Sequence, residues 1–224
     1  YDMWKRGEYE ALTDLEAVEM ISEAFRYIPK YVRVMRVQRD VPAPLIIAGP
    51  RRGDLRVLVE KRALEKGITI REIRWREAGL AAWKRLMKVN LSRVRVDILE
   101  YEASMGTEVF ISAEAPENDL IVGFVRLRIP SNKSHRPEVD EHTAIIRELH
   151  VYGPQIPIGE KSVDGLQHIG WGTRLLRKAE ELAVENYDCR KILVISGIGV
   201  RSYYRRQGYF RASGTHYMMK ILDK

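Results

Sequence analysis

The chain has a single cysteine, Cys189, among its 224 residues. One thiol cannot close an intrachain disulfide, and it cannot supply the set of cysteine ligands that an iron–sulfur cluster or a cysteine-bound zinc ion requires. Four of the five histidines are scattered without the close spacing of zinc ligands: His142, His150, His168 and His216. The sequence therefore predicts no metal site, and we interpret Cys189 as a small buried apolar residue.

Long apolar runs are also missing. No stretch of about 18 uncharged apolar residues is present that would cross a bilayer, and the start lacks the basic, apolar and small-residue pattern of a signal peptide. The composition, with 45% hydrophobic and 31% charged residues, is sufficient for a sizeable core. We therefore expect a soluble, globular protein of the cytoplasm that has no membrane partner.

Acidic residues are outnumbered by basic ones, and the formal net charge is +7. The excess of arginine is concentrated between Lys30 and Arg76. From Val32 to Arg39, arginines are interspersed with apolar residues, and we interpret the segment as a β-strand that would present cationic side chains on one face. Such a face suits an RNA backbone, although a solvated basic surface on a heat-adapted protein fits the composition equally well. The candidate nucleic-acid contacts are Arg33, Arg36, Arg39, Arg74 and Arg76.

The first third of the chain reads as two helices around this strand-like segment. Thr13, with a glutamate three residues later, predicts a capped helix that ends before Pro29, and a second helix follows Gly53. A segment of about 75 residues with one or two strands cannot close a sheet alone. We therefore expect residues 1–79 to be the closing part of a larger α/β domain with its linker, and residues 80–224 to be a second domain.

The second part of the chain combines strand-like segments with one long helix. Runs of β-branched and aromatic residues, bounded by turn residues, predict an antiparallel series of strands, a glycine-rich turn, a helix and a further strand. We therefore expect an α/β (α+β) fold with a mixed sheet flanked by helices. The predicted strands are residues 94–103, 108–113, 120–127, 144–152 and 191–195.

The turn before the long helix contains two glycines, Gly170 and Gly172. Glycine lets backbone amides approach a ligand without obstruction by a Cβ atom, and the first turn of a helix offers unpaired N–H groups and a partial positive charge. The pattern therefore predicts a cradle for phosphate groups. A sharp loop without a ligand is the alternative for a two-glycine turn taken alone.

Gln167, Gly170 and Gly172 match the acetyl-CoA signature of the GNAT acetyltransferase superfamily, which is Gln or Arg, two residues, Gly, one residue, and Gly or Ala. The chain resembles this superfamily. The resemblance implies that the turn binds the pyrophosphate of acetyl-CoA, and that the strand ending at Tyr152 offers backbone amides to the thioester arm. The residues that it assigns to acetyl-CoA are Leu149, His150, Val151, Gln167, His168, Gly170, Trp171, Gly172, Thr173, Tyr203 and Tyr204.

Further segments, among them residues 32–42, 147–153 and 199–209, resemble the Elongator catalytic subunit family of the archaeal type. This resemblance covers nearly the whole chain. It implies that residues 1–79 are the end of the family's radical-SAM barrel and its linker, and that residues 80–224 are its GNAT domain. S-adenosylmethionine and an iron–sulfur cluster are implied only for the full-length family protein, because this chain lacks the three closely spaced cysteines of the cluster.

The candidate catalytic groups are two tyrosines, Tyr203 and Tyr204, and two residues of one predicted strand, Glu148 and His150. The resemblance places a tyrosine beside the thioester sulfur, where a phenol can protonate the leaving thiolate, and Tyr203 is slightly favoured over Tyr204. Packing of both rings is the alternative. Glu148 and His150 alternate with their neighbours, so both can point to one face and act as a base near the acetyl group. A buried structural pair fits the pattern equally well.

The resemblance implies a tRNA acetyltransferase that uses acetyl-CoA and, with its radical-SAM half, carboxymethylates carbon 5 of the wobble uridine. Binding of tRNA would trigger acetyl-CoA hydrolysis. The expected partners are tRNA and acetyl-CoA, while homodimerisation and accessory subunits stay open. A protein or histone lysine acetyltransferase is the alternative enzyme, although the net positive charge disfavours a lysine-rich substrate. A tRNA-binding module without catalysis is the third hypothesis.

Overall fold

The computed structural model of the chain describes residues 1–37, 41–87, 89–152 and 170–223. The chain divides into two compact units, Tyr1–Arg76 and Glu77–Lys224. The division lies close to Gly79, where the sequence places the end of the first domain. Within the described residues, no helix combines the length and the apolar composition needed to cross a bilayer.

The first unit consists of helices and turns over its described residues. Its elements are α1 (Asp2–Lys5), α2 (Asp14–Ala24), a 3₁₀ turn (Ala43–Leu45), α3 (Leu55–Glu65) and α4 (Ile73–Arg76). The predicted cap of α2 is confirmed: the Thr13 hydroxyl accepts from Glu16 N at 3.2 Å, and the Glu16 carboxylate accepts from Thr13 N at 2.8 Å. Helices α2 and α3 pack together, and Phe25, Val59 and Ile70 belong to the buried cluster of this unit.

The predicted arginine strand is an irregular segment. Over the described part of the first unit, residues 32–37 pair with no strand. Val32 bonds to the backbone of Pro29 and Ile73, and the backbone of Val34 bonds to side chains. Val34 N donates to the Glu72 carboxylate at 3.0 Å, and Val34 O accepts from the Arg56 guanidinium at 2.8 Å. The prediction of a strand was wrong because the alternation favours an extended backbone but supplies no partner strand for its polar groups.

A seven-stranded mixed sheet forms the centre of the second unit. Its strands are β1 (Arg95–Ala103), β2 (Gly106–Ala115), β3 (Leu120–Ile129), β4 (Thr143–Val151), β5 (Lys191–Val194), β6 (Phe210–Arg211) and β7 (Met218–Ile221). The order in the sheet is β1-β2-β3-β4-β5-β7-β6, with β4 and β5 parallel and the other neighbours antiparallel. The five predicted strands are confirmed, whereas β6 and β7 are too short to have been predicted from their pattern.

Helix α6 covers one face of this sheet. The helices of the second unit are α5 (Ala78–Arg85), α6 (Trp171–Glu185) and α7 (Arg201–Arg206), with 3₁₀ turns at Leu91–Arg93 and Ile198–Val200. Leu175, Ala179 and Leu182 recur at helical spacing and place α6 against β2, β3 and β4. They share one apolar core with Val125 and Ile146 of the sheet. The predicted α/β fold, a mixed sheet flanked by helices, is confirmed.

Candidate functional site

Strands β4 and β5 separate halfway along β4. They pair as far as Ile146 and Val194, where β5 ends, while β4 continues to Val151 beside β3 alone. At the paired end, Asp140 and Lys191 form an ion pair at 2.8 Å. The sheet therefore opens toward the carboxyl ends of both strands, which is where α/β sheets bind ligands.

One extra residue in β4 marks the point of separation. Ile146 pairs with Leu127 of β3 and Glu148 pairs with Arg126, so Arg147 has no partner residue in β3. A bulge of this kind bends the strand and changes the direction of the side chains that follow it. The bend thus coincides with the place where β5 leaves the sheet.

Beyond the bulge, one edge of β4 is open. Tyr152 N donates to Val122 O of β3 at 2.7 Å. Because successive amides along a strand point in opposite directions, the amides of Leu149 and Val151 face the other edge, beyond the end of β5. This edge can hold an extended ligand through backbone hydrogen bonds.

The glycine turn brings the start of α6 to this open edge. Gly170 precedes the helix with a φ of 75°, which glycine adopts without strain. A Cβ atom on Gly172 would lie 3.2 Å from the Tyr203 hydroxyl and 3.5 Å from Val151 Cγ2. Glycine is therefore favoured at position 170 by the positive φ, and at position 172 by the close contacts that a Cβ atom would make. Gln167 and His168, the first residues of the predicted cradle, lie outside the described residues.

A cleft of about 400 Å³ lies between β4, the start of α6 and α7. This volume is within the range of about 300–1,000 Å³ that is usual for small-molecule sites. Most of the described residues that the resemblance assigns to acetyl-CoA line it: Leu149, Val151, Gly170, Gly172, Thr173, Tyr203 and Tyr204. Val200, which the sequence analysis did not single out, completes the wall.

Buried polar atoms in the segments that border the cleft are left without hydrogen bonds. Among the described residues, Trp171 Nε1, Ser196 Oγ and Tyr203 Oη have no partner that meets ordinary hydrogen-bond geometry. Buried polar groups are nearly always paired, so each such group calls for an explanation. A polar ligand in the cleft would supply a hydrogen-bond partner for the Tyr203 hydroxyl, because Tyr203 lines the cleft.

The two candidate tyrosines differ in their surroundings. Burial raises the pKa of Tyr203 above its ordinary value, and the Thr173 side chain opposes that shift. Tyr204 is 6% exposed, and its ring meets those of Tyr203 and Tyr209 edge-on at centroid distances of 5.2 and 5.4 Å. Burial raises the pKa of Tyr204 to about 12. Both phenols stay protonated at neutral pH, and the Tyr203 hydroxyl is the one placed against Gly172.

Glu148 and His150 lie on the face of β4 opposite Leu149 and Val151. Leu149 and Val151 pack against the apolar core, whereas Glu148 Oε1 lies 3.1 Å from His150 Nε2. Their side chains are 33% and 52% exposed, so the pair is not the buried structural pair of the alternative interpretation. The Glu148–His150 pair does not line the cleft. The cleft therefore lies on one face of β4 and the pair on the other.

The candidate RNA contacts are only partly accessible. Arg36 is exposed, and Arg33 and Arg74 are half-buried. Arg76 is 2% exposed, so it cannot present its guanidinium to a phosphate, and its inclusion was wrong because α4 turns that side chain inward. Arg39 lies outside the described residues.

The fold and the cleft define an acetyl-CoA-type transferase domain, and sequence profiles agree. The profile of the Acetyltransferase (GNAT) family matches residues 69–209, and that of the Radical_SAM C-terminal domain matches residues 1–65. The chain therefore belongs to the GNAT acetyltransferase family.

Two curated relatives are similar to this chain over nearly its whole length. The chain is 43% identical over 224 residues to the tRNA uridine(34) acetyltransferase of Methanocaldococcus jannaschii, covering 100% of this chain and 41% of the relative. It is 39% identical over 222 residues to human Elongator complex protein 3, covering 99% of this chain and 40% of the relative. The chain thus spans about two fifths of the length of these curated relatives.

A solved structure matches over the same extent. The archaeal Methanocaldococcus infernus Elp3 with its N-terminus (1–46) deleted superposes with a TM-score of 0.90 at 42% sequence identity. The match covers 99% of this chain and 52% of that chain. The two compact units therefore correspond to segments that occur together in a longer relative.

Three residues of interest were missed by the sequence analysis. Val200 follows a glycine-flanked turn at the carboxyl end of β5, and that position was the available signal. Ser196 and Arg126 belong to no motif that the sequence displays. Their surroundings arise from pairing between strands that are distant in sequence.

Proposed function

We propose that this chain forms the acetyl-CoA-binding part, and a portion of the tRNA-binding part, of a tRNA uridine acetyltransferase that acts at carbon 5 of the wobble uridine. The observation that carries the proposal is the cleft between β4 and α6, in which Gly172 meets the Tyr203 hydroxyl. The names of the relatives supply the substrate class.

The residues present fit acetyl-CoA. The first turn of α6, whose amides have no partner within the helix and carry a partial positive charge, suits the pyrophosphate, and Gly172 keeps that approach free of a Cβ atom. The open edge of β4 suits the amide-containing pantetheine arm. When bound, acetyl-CoA would supply the activated acetyl group.

Tyr203 would act on the leaving group. Its phenol is held protonated by burial, and among the described residues no partner meets ordinary hydrogen-bond geometry at its hydroxyl. A neutral phenol at this position can donate its proton to the departing thiolate, which lowers the barrier to breaking the carbon–sulfur bond. The amides of Leu149 and Val151 would orient the thioester arm.

The cluster chemistry of the radical-SAM half does not fit this chain. An iron–sulfur cluster needs several cysteine ligands, and the chain has one, Cys189, which is buried and whose pKa is raised to about 11 by that burial. We therefore assign acetyl-CoA activation to this chain and expect the modification of carbon 5 to require residues outside it.

Binding of tRNA would use the basic first unit. Arg33 and Arg36 lie on the irregular segment that Glu72 and Arg56 hold in place. Arginines on such a segment can neutralise phosphates and make binding strongly dependent on salt. This supports a tRNA that contacts the first unit while acetyl-CoA occupies the second.

One titration tests the proposal. The purified 224-residue chain is mixed with acetyl-CoA in a calorimeter, and release of free CoA is then followed with and without tRNA. We expect binding that Gly172→Arg abolishes, and faster CoA release with tRNA. Absence of binding would support a non-catalytic module, and unchanged release with tRNA would contradict the RNA-triggered reaction.

The alternative is acetylation of lysine-rich tails. Net charge disfavours it, because a chain of formal charge +7 repels a cationic peptide. Replacing tRNA by a lysine-rich peptide in the same assay separates the two functions. Formation of acetyl-lysine at a rate above that of tRNA-stimulated CoA release would establish the alternative.

A further inference from the structure

Three side chains form a hydrogen-bonded row on the sheet face opposite the cleft. Arg126 Nε donates to Glu148 Oε2 at 2.7 Å, and His150 Nε2 lies 3.1 Å from Glu148 Oε1. The carboxylate thus takes one neighbour on each oxygen. Exposure rises along the row, from 14% for Arg126 through 33% for Glu148 to 52% for His150, so the imidazole is the accessible end.

Arg126 is fixed at the inner end of this row. Its guanidinium carbon lies 5.1 Å from the ring centroid of Phe110 and 5.3 Å from that of Phe124. Its Nη1 donates to the Tyr101 hydroxyl at 3.0 Å. Two aromatic rings and a hydroxyl from three different strands therefore hold one guanidinium, which is more support than an ordinary ion pair receives.

The carboxylate between them is ionised. Hydrogen bonds from His150 and Arg126 lower the pKa of Glu148 to about 2, against the opposing effect of burial. An ionised carboxylate only accepts hydrogen bonds, so a neutral imidazole at 3.1 Å must carry its proton on Nε2. The lone pair of Nδ1 is then available on the other side of the ring.

We propose that His150 is the group that accepts a proton from the attacking nucleophile, and that Glu148 and Arg126 are positioning residues that fix its tautomer and orientation. The inference rests on the proposed function and deepens it. The sequence pattern left the role of base open between Glu148 and His150, and the inference assigns it to His150, with Glu148 and Arg126 holding the imidazole in place. An ionised Glu148, already bonded on both oxygens, is poorly suited to that role.

The place of His150 in the sheet supports this role. It stands between Leu149 and Val151, whose side chains line the cleft and whose amides face the open edge. The sheet is open beside this stretch because β5 ends at Val194. An acetyl group held at the open edge is therefore approachable from the face that carries His150, while its CoA arm occupies the cleft side.

The chemical step balances for hydrolysis. His150 Nδ1 takes one proton from water as the water oxygen bonds to the thioester carbon, and the carbon–sulfur bond breaks. The thiolate takes the Tyr203 proton, and the second water proton stays on the acetic acid. Tyr203 then recovers a proton that His150 releases to solvent. The products are acetic acid and CoA thiol, and no oxidant or reductant is required.

The tautomer gives a test that does not depend on turnover. In the chain labelled with ¹⁵N-histidine, NMR correlations of the imidazole nitrogens should show His150 with its proton on Nε2. In Glu148→Gln this preference should weaken, because the amide can donate as well as accept. A proton on Nδ1 in the unsubstituted chain would overturn the proposal.

The pH profile of tRNA-triggered CoA release gives the second test. Among the described residues, several charged or titratable groups lie near His150. Glu148 and Tyr152 flank it along the chain, and Arg126 of β3 and Tyr101 of β1 complete the row. The ion pair between Arg147 and Glu108 links β4 to β2. If Glu148 is the acceptor, the rate stays level down to about pH 4, since the pKa of its carboxyl group is lowered to about 2. A fall of the rate at higher pH that disappears in His150→Gln would assign the acceptor to His150.

Variants assign the profile to residues. His150→Gln should slow CoA release by about 100-fold and remove the fall at low pH. Arg126→Met should slow release by about tenfold without weakening acetyl-CoA binding, and Arg126→Lys should recover most of that loss. The matched control is His142→Gln at the opposite end of β4, which should leave the profile unchanged.

Different results would contradict the role of His150 and the proposed function. Acetyl-CoA binding without any tRNA-stimulated release contradicts the proposed function, and the NMR tautomer still tests the row of side chains. Normal release with an unaltered pH profile in His150→Gln overturns the role of His150 alone. Equal losses in Arg126→Met and Arg126→Lys would contradict the positioning role.

Discussion

The Tyr203 hydroxyl lies 3.2 Å from the point that a Cβ atom would occupy on Gly172. Gly172→Ala should therefore press on the phenol and narrow the cleft, weakening acetyl-CoA binding by about tenfold in calorimetry. The helical backbone at this position accepts alanine, so thermal stability should not fall. Gly170→Ala is the contrasting control, because its φ of 75° makes alanine cost about 1–2 kcal/mol of stability while no atom of the described residues beyond its chain neighbours lies within 4 Å of the added Cβ.

Tyr203→Phe tests the role of the phenol. Removing the hydroxyl should slow tRNA-triggered CoA release by about 10- to 100-fold, because the thiolate loses its proton donor, while acetyl-CoA affinity changes little. Tyr204→Phe keeps the edge-on ring contacts and should have a small effect on the rate. A larger loss in Tyr204→Phe than in Tyr203→Phe would reverse the assignment.

Asp140 makes stability depend on pH at the closed end of the β4–β5 pair. Hydrogen bonds from Lys191 and Thr143 lower the pKa of Asp140 to about 2, below its ordinary value. The contribution is therefore complete above the ordinary aspartate value and is lost as the pH falls toward 2. Because the carboxylate is 56% exposed, Asp140→Asn should cost less than about 1 kcal/mol at pH 7. Denaturant unfolding of both proteins should give a difference that vanishes near pH 2, and a difference independent of pH would contradict this account.

Glu72 organises the segment that carries the candidate RNA contacts. Its fully buried carboxylate accepts from Val34 N, Arg74 N and Trp75 N at 3.0, 2.9 and 2.7 Å and pairs with Arg56 at 2.5 Å. Glu72→Ala would remove the acceptor of three amides and one of the two carboxylates that pair with Arg56, and should destabilise the first unit by about 3–5 kcal/mol in denaturant unfolding followed by circular dichroism. The control Glu65→Ala on α3, which is 48% exposed, should cost well under 1 kcal/mol.

Arg36 should contribute to tRNA affinity through charge. Arg36→Gln is expected to weaken binding similarly for all tRNAs and to reduce the slope of log affinity against log salt by about one. Arg26→Gln removes the same charge from an exposed ion pair with Glu23, outside the basic segment, and should leave the slope unchanged. Equal effects of both variants would indicate general electrostatics rather than a contact at Arg36.

The sequence predicts the strands and the glycine turn because their signals are local. Runs of β-branched and aromatic residues identify β1 to β5, and the capping residues of α2 identify its start. The side chains that the resemblance assigned to acetyl-CoA are brought together in one cleft wherever the structure describes them, except His150 and Trp171, which do not line it.

The parts that escaped prediction depend on contacts between distant residues. The arginine segment has strand-like alternation, but the amide and carbonyl of Val34 bond to Glu72 and Arg56, which follow much later in the chain. Burial of Arg76 likewise depends on its surroundings rather than on its residue type. Arg126 acquires its position only when β3 pairs with β2 and β4.

The bulge at Arg147 preserves the faces of the later side chains of β4. Core residues meet on both sides of it, Ile146 with Leu127 and Leu149 with Val125. If Arg147 instead paired in register with Arg126, every later side chain of the strand would exchange faces: Leu149 and Val151 would leave the cleft wall, and His150 would point into it. Deletion of Arg147 would thus straighten the strand but keep these faces, whereas a slip of register by one residue would exchange them.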